Sequence, residues 1–181
     1  MQTFKILLTI AVALFLQLLL SKFLEFFKYI DLALLVTVYF SLQREPLLGM
    51  IVGLAAGLGG DIIAGGILGV GGFSKTLIGY IISMASVKLS IENPFARLAA
   101  VALASIANTA LFVGLYQMLE QNQIPGQLTA FAGSWTQLLR TAGWKALADT
   151  LAAVVIFVIL DRVFYEQATA RRMAIKRRFY E

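Results

Sequence analysis

Apolar residues run along the chain in long blocks separated by short polar turns, and little of the sequence shows the half-polar patterning of a soluble surface. Ile6 to Leu20 is the first block. It follows Lys5 and has the length of a secretory signal, but no small-x-small cleavage site comes after it, only Ser21-Lys22-Phe23-Leu24-Glu25-Phe26-Phe27-Lys28, so it reads as a first span. Ile30 to Leu42 is short and carries Asp31, and by length alone it fits a re-entrant or interfacial segment. Counted from Leu24, with Lys28 snorkelling, it reaches the length of a tilted crossing. Leu47 to Ile63 follows the polar turn Gln43-Arg44-Glu45-Pro46, whose proline suits the first position of a helix. Phe73 to Leu89, Pro94 to Leu119 and Trp144 to Val163 complete the series. The pattern predicts an all-α integral membrane bundle of six transmembrane helices, or five if the second block does not cross.

The one long connection, Glu120 to Gly143, opens on the turn-like Gln121-Asn122-Gln123-Ile124-Pro125-Gly126. Beyond it, Leu128, Phe131, Trp135, Leu138 and Leu139 recur at helical spacing, which predicts an interfacial amphipathic helix before the sixth span, or else a loop helix packed on the bundle. Trp135 and Trp144 would anchor at headgroup depth, with an apolar body in lipid and one N–H in water.

Composition agrees with this reading. Of 181 residues, 60% are hydrophobic and 14% charged, and no soluble domain remains once the blocks are assigned. Neither histidine nor cysteine occurs, which removes the commonest general base, the thiol nucleophiles and the usual soft metal ligands; no cofactor is expected. The net charge of +5 is not a nucleic-acid signal, because Arg162 to Glu181 contributes six basic and two acidic residues while the rest is nearly neutral. With the N-terminus inside, six spans place ten basic residues in the cytoplasm against five outside. That difference rests on the tail, 164–181, whose Arg171, Arg172, Lys176, Arg177 and Arg178 suit an anionic inner leaflet. The expected domain is thus a single polytopic unit over 1–181 with both termini cytoplasmic.

Nine of the fifteen glycines fall between Gly57 and Gly79. Ser74-Lys75-Thr76 is not a phosphate-loop motif and no strand-loop-helix context surrounds it, so the glycines read as a tight hairpin between spans three and four. Gly53, Gly57 and Gly60 would give one flat face, with Gly60, Gly65, Gly66 and Gly69 as packing or turn positions. The run from Gly57 to Tyr80, an acidic residue after a Gly-Leu-rich helix and then Gly-Gly-Ile-Leu-Gly-Val and Ile-Gly-Tyr, resembles the central signature of MreD, a family of rod shape-determining membrane proteins. The likeness in length and form covers nearly the whole chain, with Lys75 as a departure from it. The resemblance implies a non-enzymatic scaffold of the bacterial inner membrane. Its implied partners are an MreC-like single-span protein, a RodA-type glycosyltransferase and a class B penicillin-binding protein. It also implies a fold like the S components of energy-coupling-factor transporters, hence a competing reading as the solute-binding subunit of a transporter.

Ionisable residues inside spans are costly and call for partners. Asp61, Lys75 and Asp149 are expected near the outer ends of spans three, four and six, where Lys75 would pair with Asp61 or Asp149. Asn108, with Ser105 and Thr109, gives the fifth span a polar face. Such a cluster reads as structural glue or as a small outward-facing polar cavity. Two carboxylates flanking a lysine, with no nucleophile or metal cluster, favour structure over catalysis.

Overall fold

A computed structural model describes residues 2–23, 30–89, 93–120 and 135–164. Six α-helices account for them, and no strand occurs among the described residues: α1 (Gln2–Phe23), α2 (Leu32–Ser41), α3 (Pro46–Ala64), α4 (Val70–Leu89), α5 (Pro94–Glu120) and α6 (Trp135–Val163). Three helices are long and apolar enough to cross a membrane, over Pro46–Ala64, Val70–Lys88 and Pro94–Leu115; the apolar parts of α1 (Thr3–Leu19) and α2 are shorter.

The second block differs from expectation. A crossing counted from Leu24 requires helix well before Asp31, yet α2 starts only at Leu32, because the Asp31 carboxylate accepts the Leu34 N–H at 2.9 Å and caps it there. Ten residues make a helix about 15 Å long, half a bilayer's hydrocarbon core. All ten are buried, as suits a helix that is apolar all round. Residues 24–29 lie outside the described ones.

That short helix is the hub. It touches each of the other five helices, which surround it in the order α1, α3, α4, α5, α6, with α1 and α6 not in contact. Lateral pairings fix the directions. Asp31, Thr37 and Ser41 of α2 sit level with Lys75, Gly79 and Ser83 of α4, while Ser105 and Arg97 of α5 sit level with Asp149 and Asp161 of α6. Helices α2 and α4 therefore run one way, as does α6, whose Asp149 and Asp161 sit level with Asp31 and Tyr39, while α3 and α5 run the other. Tyr39 and Phe40 close the hub's C-terminal end edge-to-face against Phe157 and Phe164 respectively, at 5.5 and 5.3 Å.

Helices α3 and α4 form the closest pair. Gly49, Gly53 and Gly57 recur every fourth residue on α3, and a Cβ on them would run into the carbonyl oxygens of Gly79, Lys75 and Gly71. Of the glycines expected to set this hairpin, Gly57 lies on the seam, whereas Gly60 faces open space one position off the stripe. Gly65 and Gly69 are turn residues with φ of 64° and 102° and nothing where a Cβ would stand. Gly66 is exposed in the same turn.

The interfacial helix also takes another form where it can be seen. Residues 135–143 continue without a break into the last helix, so α6 is 29 residues long and Asp149 lies near its middle rather than at its outer start. Trp135 is its first residue and Trp144 is exposed along it. Residues 128–134 and the basic tail, with Arg171, Arg172, Lys176, Arg177 and Arg178, lie outside the described residues.

Candidate site: a polar layer at the start of the buried helix

A helix that begins inside a bilayer leaves backbone N–H groups with neither an intrahelical partner nor water, at a cost of several kcal/mol each unless other groups accept them. At the start of α2 these donors are met from three sides. Asp31 Oδ1 takes the Leu34 N–H, Gln17 Oε1 of α1 takes the Ala33 N–H at 3.4 Å, and Asp149 Oδ1 of α6 takes the N–H of Asp31 itself at 2.8 Å. The acceptors are then held in turn. Ser105 of α5 donates to Asp149 Oδ2 at 2.5 Å. Lys75 Nζ of α4 lies 3.0 Å from Asp31 Oδ2, to which Asn108 Nδ2 of α5 also donates at 3.4 Å, while Ser74 donates to Asn108 Oδ1 at 3.1 Å. Asp31, Ser74, Lys75, Ser105, Asn108 and Asp149 are all buried.

The far end of α2 is closed in the same manner. Its Ser41 carbonyl accepts from the hydroxyls of Ser83 (2.9 Å) and Ser86 (3.3 Å) of α4. Near that end Tyr39 donates to Asp161 Oδ1 at 3.0 Å, and Arg97 Nη1 meets Asp161 Oδ2 at 3.2 Å, tying α2, α5 and α6 together.

Of the four intramembrane residues singled out in the sequence, Lys75, Asn108 and Asp149 come together, and Asp61 stands apart. The ion pair expected between Lys75 and Asp61 or Asp149 is instead formed with Asp31, because α2 is short enough to bring its N-cap to the depth of Lys75. Asp61 continues the Gly49-Gly53-Gly57 stripe by one more step of four. From there its carboxylate accepts the N–H groups of Gly69 (2.8 Å), Gly71 (3.0 Å) and Gly72 (3.2 Å) at the start of α4, where a helix N-terminus favours negative charge. A Cβ on Gly71 would strike that carboxylate.

The sequence reading missed Asp31, Ser41, Ser83, Ser86 and Asp161. Asp31 satisfied the criterion used for the others, a charge within an apolar run. The serines carry no such signal, being ordinary in a membrane helix. Chemically the layer is a set of acceptors and donors consumed in joining helices. No group of three or more metal-ligating side chains occurs among the described residues.

This glycine-seamed helical architecture accompanies a match over residues 1–166 to the family model of rod shape-determining protein MreD. The chain belongs to the MreD family. Members of that family are shape-determining structural membrane proteins, so the chain is a membrane protein with a rod shape-determining role. Among curated proteins and among solved structures, none matches the chain. The family match includes α2 and both of its capped ends, and stops within the 164–181 tail.

Proposed function

We propose that the protein is a non-enzymatic scaffold of the cell-wall elongation machinery. In this reading it spans the bacterial inner membrane several times, binds an MreC-like single-span partner, and works beside a RodA-type glycosyltransferase and a class B penicillin-binding protein. The family match carries the reading. The polar layer at the start of α2 supports it, because Asp31, Ser74, Lys75, Ser105, Asn108 and Asp149 hold one helix to another and so serve the rigidity a scaffold needs. The placing of both termini in the cytoplasm rests on the basic tail, since without it the lysines and arginines of the six-span topology divide five and five. The transporter-subunit alternative draws no support from the comparisons.

Affinity purification of the full chain from a rod-shaped bacterium in mild detergent, with mass spectrometry of what accompanies it, tests the scaffold. An MreC-like protein should be recovered, and depletion of the chain should round the cells. Recovery of an ATPase pair without any MreC-like protein would favour the transporter.

A further inference from the structure

The turn that joins α3 to α4 has no polar side chain. From Ile62 to Phe73 every residue is glycine or apolar, and all of residues 62–68 are exposed, with Leu68 at 66%. The opposite end of the same two helices is polar: Gln43-Arg44-Glu45 leads into α3, and Ser90-Ile91-Glu92-Asn93 follows α4. A contiguous apolar tip of this kind marks a surface that meets something other than water.

Depth says what it meets. Helix α3 has 19 residues, about 28 Å of helix, and starts directly after Arg44 and Glu45. The hydrocarbon core of a bilayer is roughly 30 Å thick, so with those two charges at one boundary Ala64 arrives at the other. Any tilt of the helix draws the turn further into lipid.

Irregular backbone at that depth is tolerated only where its donors are met without water. Asp61 meets them from inside the hairpin. Itself buried, it takes the N–H groups of Gly69, Gly71 and Gly72 on its carboxylate and that of Gly65 on its carbonyl. Val70 donates to the Ile67 carbonyl and Phe73 to that of Gly69. A helix start facing water can leave such donors to the solvent. We propose that the apex of this hairpin, Gly65 to Gly69, is a lipid contact. It lies at the hydrocarbon boundary of the leaflet opposite Arg44 and Glu45, with Leu68 among the acyl chains, and Asp61 supplies the acceptors that let a turn rest there. On that face of the membrane the hairpin then offers a water-borne partner no polar handle.

The chain has no cysteine, so Leu68→Cys gives a single thiol in the full-length protein. In lipid nanodiscs, which leave both membrane faces open, a membrane-impermeant maleimide should label it about tenfold or more slowly than exposed Asn93→Cys, because an apolar setting disfavours the reactive thiolate. A bimane attached at the same position before reconstitution should be quenched more by lipids brominated near the carboxyl end of the acyl chain than by lipids brominated near the methyl end. Labelling as fast as at Asn93→Cys would place the apex in water and overturn the proposal. Slow labelling without quenching by either lipid would mean that protein covers it, and stronger quenching from the methyl end would put it mid-membrane; each of these overturns it too. Ile67→Cys serves for the same measurements if Leu68→Cys does not fold. Adding Asp61→Ala should bring the labelling rate toward that of Asn93→Cys as the released N–H groups draw the turn to water, and an unchanged rate in that folded variant would overturn the part assigned to Asp61.

Discussion

The α3–α4 hairpin and the junction around the start of α2 solve one problem by opposite means. Between helices in lipid there is little hydrophobic driving force, so association must come from close packing or from hydrogen bonds. The hairpin uses the first: Gly49, Gly53 and Gly57 bring two backbones together with almost no side chain between them, and a single carboxylate, Asp61, fastens the open end. The junction uses the second: four helices meet through Asp31, Lys75, Ser105, Asn108 and Asp149. Packing that relies on missing atoms tolerates no addition, and a network that relies on specific atoms tolerates no subtraction.

The contrast can be broken from either side. Gly53→Leu should have the largest effect, because a side chain there meets the Lys75 backbone, which cannot turn aside; no monodisperse folded protein should elute on size exclusion. Lys75→Met strands Asp31 and should cost about 3–5 kcal/mol, read as a lowered unfolding midpoint in detergent, and Lys75→Met with Asp31→Asn should recover part of it. Strictly additive losses would dissolve the pair. Asp61→Ala removes the acceptor of three backbone N–H groups at the head of α4 and should cost about 1–2 kcal/mol without disturbing the junction. Gly60→Ala should go the other way, stabilising by about 0.5–1 kcal/mol, since that glycine is helical and faces open space; a loss there would extend the seam to a position the geometry leaves out.

The hairpin was the more legible of the two in sequence. Glycines at helical spacing identify a close-packed face from composition alone, and Gly53 and Gly57 belong to it. Gly60 was misread because the stripe advances by four, reaching Asp61 and passing Gly60 by. The junction was legible only in its parts. Intramembrane charge marks Lys75 and Asp149 as needing partners, but which acid faces the lysine depends on the depth at which α2 begins. That depth is set by a cap at Asp31, a residue that in sequence looks like a flaw in a weak span. The length of α6 was hidden for a related reason: a polar first half, with Gln137 and Arg140, resembles an interfacial segment until it is seen to continue into the apolar half.

The shortness of α2 also bears on the order in which the protein can be made. A segment of ten residues, eight of them apolar, flanked by Asp31 is too short to settle across a bilayer alone. Apart from Gln17 and Asp31, the groups that close its two ends come from later in the chain: Ser83 and Ser86 on α4, and Asp149 on α6, held in turn by Ser105 on α5. The centre of the bundle is thus completed after its rim, and a chain released from the ribosome before residue 149 leaves the Asp31 N–H without its acceptor. Truncation before α6 should therefore leave α2 accessible to a membrane protease, although every residue of α2 has already been synthesised.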